Sequence, residues 1–319
     1  MPYISALVAL AVLLVAPPTV AAAEPGAGGL HRLNQQINAA SHRLEVVVEQ
    51  YNDIRHDLRD TGAKEAALTR QIDPLRQAMD ARQARIGVLA AGAYRAGGPA
   101  AASALLAAVS AKQFADRLLF VERLANEQRR AIEDLAQARD RYESARRVLG
   151  ALASQQRTLQ ARLATRKRQV EGEIARLREL RQQAYGLGLR DPAYVPGAVP
   201  RYSPGRAGEA VRFAHAQIGK PYRWAGSGPD AYDCSGLTAA AWRAAGVELP
   251  HNAARQWRAV TPISRADMRQ GDLVFYYRDI HHVGIYQGDG KIIHAPRYGE
   301  RIRVEDMDYA PIHGYGRVR

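Results

Sequence analysis

The sequence predicts a long antiparallel α-helical hairpin followed by an α+β domain. Two observations support this prediction. Apolar residues recur at alternating spacings of four and three over residues 30–185, and all three tryptophans (Trp224, Trp242 and Trp257) lie in the last hundred residues. A seven-residue apolar repeat is typical of a coiled coil. Helices followed by strands joined through a tight turn are typical of an α+β domain.

The first 23 residues have the pattern of a secretory signal. An apolar run at residues 3–16 is followed by two prolines and then by Ala21-Ala22-Ala23, a small-residue cleavage site. The run is shorter than the roughly 20 residues that a membrane-spanning helix needs. We therefore expect a signal peptide and export, although no Lys or Arg precedes the run.

The predicted hairpin covers residues 30–185. Gly97-Gly98-Pro99 ends the first helix, and the second begins near residues 112–114. Pro74 is expected to kink the first helix. The apolar stretch at residues 101–109 either caps the hairpin tip or forms a docking surface for a partner. The first seam runs through Leu33, Ile37, Ala40, Leu44, Val47, Tyr51, Ile54 and Leu58, and the second through Leu118, Val121, Ala125, Gln128, Ile132, Leu135, Arg139 and Tyr142.

The formal net charge is +13. Nucleic-acid binding is one interpretation of a basic excess. However, the arginines alternate with acidic residues along the predicted helices, and neither interleaved aromatics nor a Gly-rich phosphate loop accompanies them. A solvated helix face therefore explains the charge better, and no nucleic-acid partner is expected.

A Pro- and Gly-rich segment, residues 186–207, predicts a linker before a domain at residues 208–319. In that domain the patterns predict helices at 208–218, 233–245 and 252–257. Strands are predicted at 272–277, 282–287, 291–294, 301–304 and 314–318, with Gly288-Asp289-Gly290 as the turn of a hairpin.

The single cysteine, Cys234, is a candidate nucleophile. Exported proteins usually carry paired cysteines or none, so a lone thiol suggests chemistry, although a small buried apolar residue is the alternative. Asp233 can cap the helix that begins at Cys234. The positive end of the helix dipole would then favour the thiolate, and neighbouring backbone N–H groups could bind an oxyanion.

A histidine is the expected base because its pKa lies near the working pH. His282 precedes Val283 on a predicted strand and shares a face with Gly284, which leaves room above it. His281, one residue earlier, is the main rival. His294, on the paired strand, could fix the tautomer of His282 as the third member of a triad does. Paired cysteines or closely spaced histidines for a metal are missing, so neither a metal nor a cofactor is expected.

These residues lie in motifs that resemble those of NlpC/P60 cysteine peptidases. The motifs are Pro221-Tyr222-x-Trp224, Asp233-Cys234-Ser235-Gly236-Leu237, Leu249-Pro250-His251, His282-Val283-Gly284-Ile285-Tyr286 and Ile293-His294-Ala295. The resemblance implies a papain-like fold with Cys234, His282 and His294 as catalytic residues, and with Tyr222, Asp233 and Ser235 as substrate-binding residues. The implied substrate is a cell-wall stem peptide, cleaved between the γ-carboxyl of D-glutamate and a diamino acid such as meso-diaminopimelate.

The hairpin resembles the coiled-coil half of PcsB- and Rip-type cell-division hydrolases, which implies docking to an FtsE–FtsX membrane complex. Three functions remain open: a cell-wall endopeptidase, a non-catalytic wall-binding scaffold, and an amidase or acyl-transfer enzyme on the same fold. The hairpin or the linker could also cover the active site until a partner pulls it away.

Overall fold

The computed structural model describes residues 27–95, 107, 110–185 and 201–319. The expected signal peptide, most of the hairpin tip at residues 101–109, and residues 186–200 of the expected linker lie outside the described residues. Their interpretations therefore stay predictions.

Two long helices form the predicted hairpin. Helix α1 (Ala27–Arg95) continues through Pro74, and helix α2 (Ala111–Tyr185) packs along it. The ion pair Arg43–Glu173 joins the early part of α1 to the late part of α2, and Arg85–Glu127 joins the late part of α1 to the early part of α2. The two helices are therefore antiparallel. A cluster of buried apolar side chains lies at the open end of the hairpin and consists of Ile37, Ala40, Leu44, Val48, Val170, Ile174, Leu177 and Leu180. None of the helices described is long and apolar enough to cross a membrane.

Alternate positions of the predicted α2 seam are partly buried, namely Val121, Gln128, Leu135 and Tyr142, whereas Ile132 and Arg139 lie one residue away from the contact. Ala131 and Ala138 are buried, whereas Ile132 is 59 % exposed and Arg139 pairs with Glu143 on the surface. Adjacent helical positions point about 100° apart, so a slip of one residue moves a side chain off the contact face. Isoleucine is the larger apolar residue, so the apolar pattern favoured Ile132 over the neighbouring alanine.

The C-terminal domain has helices first and an antiparallel sheet after them, which confirms the α+β prediction. Its helices are α3 (Arg206–Ala216), α4 (Cys234–Ala244) and α5 (Ala253–Ala259), followed by a short 3-10 helix (Arg265–Asp267). Its strands are β1 (Thr261–Ile263), β2 (Leu273–Tyr276), β3 (His282–Gly288), β4 (Lys291–His294), β5 (Arg303–Asp306) and β6 (Ile312–Arg317). The spatial order is β1-β6-β2-β3-β4-β5, and every pairing is antiparallel.

The packing of α4 on β3 positions the candidate site. Val283 and Ile285 lie with Leu237 of α4 in the main core. Their alternation turns His282 and Gly284 to the other face of the sheet, as predicted. A Cβ atom on Gly284 would lie 2.7 Å from Cδ1 of Ile292 and 3.4 Å from the Cβ of His294, so the missing side chain lets these two β4 residues pack closely on β3.

Candidate active site

The start of α4 is fixed by Asp233. Its Oδ1 accepts a hydrogen bond from the backbone N–H of Gly236 at 2.7 Å, which confirms the predicted cap. Gly236 cannot carry a side chain there, because an added Cβ would lie 2.0 Å from the carbonyl oxygen of Gly226. The two residues together place Cys234 in the first turn of the helix.

The two histidines of the β3–β4 hairpin, His282 and His294, are within hydrogen-bonding distance of each other. Nε2 of His282 lies 2.9 Å from Nδ1 of His294, and both rings are buried. Burial lowers the pKa of His294 well below its usual value, and the charges of His282 and Arg303 act in the same direction. The second ring nitrogen of His282, Nδ1, lies 3.4 Å from Oε2 of Glu45 in α1 without a well-aligned hydrogen bond.

The side chain of His281 points away from this pair. Its ring stacks on Tyr277 at 4.3 Å, bonds Asp279 at 2.5 Å, and lies 3.3 Å from Nδ1 of His42. Only its backbone carbonyl approaches Cys234. This geometry favours His282 over His281 as the partner of His294.

Cys234 is 2 % exposed and is not bonded to His282. Its Sγ lies 3.9 Å from Oε1 of Glu49 and 3.9 Å from the carbonyl oxygen of His281. Burial raises the pKa of the thiol well above its usual value, and the carboxylates of Glu49 and Asp233 raise it further. The expected stabilisation of a thiolate by the helix dipole is therefore outweighed in this arrangement.

The three predicted substrate-binding residues meet around the cysteine. Burial raises the pKa of the Tyr222 hydroxyl well above its usual value, and the charges of Asp233 and Cys234 add to the shift. Ser235 Oγ donates to Oε1 of Glu49 at 2.7 Å. Asp233 Oδ2 accepts from Asn52 at 3.1 Å. Side chains of α1 thus form hydrogen bonds with two of the three residues, Ser235 and Asp233.

The sequence reasoning missed these α1 residues. Glu45, Glu49 and Asn52 lie at helical spacing and are buried against the domain; we call them the active-site face of α1. Burial and the charge of Asp233 raise the pKa of Glu49 from 4.5 to about 7. The sequence feature that could have indicated them is a set of polar residues spaced four and three apart on one face of the helix. That spacing also fits a solvated surface.

The same contact continues along α1 beyond Glu49. Arg255 of α5 bonds Asp53 through Nε and Asp57 through Nη2, each at 2.5 Å. We call Glu49, Asp53 and Asp57 the acid row. Tyr51 also packs edge-on against Trp224, with ring centroids 5.2 Å apart. Helix α1 therefore has one face on α2 and another across the candidate active site.

Comparison with known proteins identifies the family that the C-terminal domain matches. Residues 219–314 match the NlpC/P60 family model. Residues 219–314 form an NlpC/P60 domain. The match confirms the resemblance that the motifs of this part of the chain indicated.

Two curated relatives carry similar domains. One is a probable endopeptidase of Corynebacterium glutamicum, 38 % identical over 130 residues, which are 41 % of this chain and 61 % of that protein. Another is a probable endopeptidase of Mycobacterium tuberculosis, 39 % identical over 121 residues, which are 37 % of this chain and 31 % of that protein. The matched part of this chain thus covers less than two thirds of either relative.

Among solved structures, the NlpC/P60 domain of the peptidoglycan hydrolase SagA is 31 % identical. The match covers 35 % of this chain and 98 % of that one, with a TM-score of 0.34.

Proposed function

We propose that the protein is an exported peptidoglycan endopeptidase with Cys234 as nucleophile, His282 as base and His294 as the residue that orients the base. The observation that carries the proposal is the 2.9 Å contact between the two imidazoles. The Sγ of Cys234, in the first turn of α4, lies 3.9 Å from the carbonyl oxygen of His281, the residue before His282. A module that only binds cell wall would not need a thiol beside paired histidines.

The chemistry follows from which ring nitrogen is free. Nε2 of His282 is held by His294, so Nδ1 is the atom that takes the thiol proton once α1 has moved away. The Cys234 thiolate then attacks the peptide carbonyl carbon, and backbone N–H groups of the first helical turn stabilise the oxyanion. The imidazolium gives its proton to the leaving amine, and water hydrolyses the resulting thioester.

The proposed substrate is a stem peptide, cut between the γ-carboxyl of D-glutamate and meso-diaminopimelate. The family match and the endopeptidase names of the relatives support this class of substrate. In this proposal Tyr222, Asp233 and Ser235 hold the peptide, and the enzyme acts outside the cytoplasm on the cell wall.

Purified muropeptides with products identified by mass spectrometry would test the proposal. Because α1 covers Cys234, the assay uses the full chain with Glu49→Lys, which puts a cation in place of a buried carboxylate. We expect release of the D-glutamate–diaminopimelate products, and a loss of at least about 1000-fold on adding Cys234→Ala. Cleavage that survives without the thiol would contradict the mechanism. Products cut at the sugar–peptide amide would support the amidase alternative, and binding without products would support the scaffold.

We further propose control through the hairpin tip by an FtsE–FtsX-type complex during cell separation. Exposed apolar side chains at the start of α2, Phe114, Leu118 and Phe120, continue the apolar character of the tip and support this idea. Substituting Leu105 and Leu106 should abolish capture by an FtsX ectodomain, and unchanged capture would count against the partner.

A further inference from the structure

We propose that α1 is a built-in peptide mimic, whose acid row occupies two points in the cleft that bind substrate carboxylates. One point lies between Ser235 and Ala253, and the other is Arg255. The inference rests on the proposed function and deepens it, because it assigns two substrate contacts and the device that closes the site.

The first point is a carboxylate held by two donors beside the nucleophile. Oε1 of Glu49 accepts from Ser235 Oγ at 2.7 Å, and Oε2 accepts from the backbone N–H of Ala253 at 2.6 Å. Asn52 and Asn252 fasten the same turn of α1, through Asp233 and the backbone carbonyl of Glu49 respectively. Oε1 of Glu49 lies 3.9 Å from Sγ of Cys234. The two converging donors therefore form a place beside the nucleophile for a carboxyl group of the substrate.

The second point is the guanidinium of Arg255, whose acidic partners among the described residues all come from α1. Arg255 bonds Asp53 and Asp57 and lies 3.8 Å from Asp60. A guanidinium that binds carboxylates through different nitrogens is well suited to an acidic ligand. When α1 leaves, these partners leave with it, and Arg255 remains at the rim of the cleft for a peptide carboxylate.

The spacing of the acid row fits a short peptide. Four helical residues advance about 6 Å and eight advance about 12 Å. An extended peptide covers the same distances with about two to four residues. A stem peptide with carboxyl groups at that separation could therefore satisfy both points, whereas its carboxamide form would lose the negative charge that Arg255 recognises.

The same helix excludes that peptide. Cys234 is 2 % exposed beneath α1, and Glu45 stands 3.4 Å from the ring nitrogen that the proton transfer requires. Substrate and α1 thus compete for one surface, so weakening the acid row should expose the thiol.

The first test measures alkylation of Cys234 by iodoacetamide in the full chain. Two variants remove the same ion pairs: Asp53→Asn/Asp57→Asn changes the α1 partners, and Arg255→Gln changes the α5 partner. Both should speed alkylation by about three- to tenfold. Asp80→Asn, the same chemical change on α1 within an exposed pair with Arg76, is the matched control and should leave the rate unchanged. Wild-type rates in both test variants would overturn the mimic.

The second test separates a substrate contact from a structural ion pair. In a Cys234→Ala background, the Kd for a purified acidic muropeptide and for its carboxamide is measured by calorimetry. Removing the two aspartates should tighten binding of the acidic peptide. The Arg255→Gln variant should bind the acidic peptide about tenfold more weakly than the Asp53→Asn/Asp57→Asn variant does. The two variants should differ little in their affinity for the carboxamide peptide. Arg255→Lys, which keeps the charge, should recover part of the loss.

The outcomes are distinguishable. Equal affinities of the arginine and aspartate variants for the acidic peptide would overturn the second binding point. Faster alkylation and acid-selective binding, without cleavage by any variant that retains Cys234, would support the mimic and contradict the proposed endopeptidase.

Discussion

Glu49 changes the chemistry of the residues around it. It lies 3.9 Å from the sulfur of Cys234, bonds Ser235, and shares its surroundings with the carboxylate of Asp233. A buried carboxylate next to a thiol opposes ionisation of that thiol. The nucleophile is therefore both covered and electrostatically suppressed by the same side chain.

This arrangement predicts a pH dependence of α1 docking. The pKa of Glu49 is raised from 4.5 to about 7 when it is buried, with Asp233, His251, Cys234 and Glu45 as its ionisable neighbours. A raised pKa means that the protonated form stabilises docking fully below about pH 4.5. That stabilisation is lost as the pH rises through about 7.

The measurement compares Cys234 alkylation in the wild-type chain and in Glu49→Gln, which cannot titrate at this position. The ratio of the two rates should rise between pH 5 and 7, by at most about tenfold per pH unit, and level off above. Dividing by the rate of the variant removes ionisation of the thiol itself. A ratio independent of pH would show that docking is not linked to the protonation of Glu49.

At the scale of elements, several contacts constrain the start of α4. The cap by Asp233 and the approach of Gly236 to the backbone of Gly226 hold the helix against its neighbouring loop. His251 also bonds the capping carboxylate at 2.7 Å. The position of the nucleophile therefore depends on a contact that admits no Cβ atom.

Gly236→Ala should destabilise the protein, although alanine is ordinarily the better helix former. The added methyl group would collide with a backbone carbonyl, and overpacking of this kind costs about 1–3 kcal/mol. Gly150→Ala in α2, where a Cβ meets nothing within 4 Å, is the control and should stabilise by up to about 1 kcal/mol. Urea unfolding checks both, and equal effects of the two substitutions would contradict the account.

Elements with a strong local pattern were predictable from sequence. The β3–β4 hairpin follows from alternating apolar residues around Gly288-Asp289-Gly290, and it places His282 beside His294 as expected. Strand β1 was missed because it is three residues long and contains Pro262, which weakens a strand pattern. The seam of α2 slipped because Ala131 and Ala138 carry the contact.

At the scale of the whole molecule, the relation between hairpin and domain was not predictable in detail. Covering of the active site was one open possibility, but the sequence did not indicate which residues would do it. Glu45 and Glu49 resemble ordinary surface residues of a helix, and only the approach of Ser235 and His282 from far along the chain makes them buried. The helical spacing of these polar residues also fits a solvated helix surface, so the hydropathy pattern does not reveal their long-range contacts.

The most direct test of the account compares muropeptide release by the full chain carrying Glu49→Lys or Gln50→Lys. The two substitutions add the same residue to neighbouring positions of α1, one buried in the cleft and one exposed. The account predicts release at least about tenfold faster with Glu49→Lys than with Gln50→Lys, and none when Cys234→Ala is added. Equal rates for the two lysine variants, or release that persists without the cysteine, would contradict it.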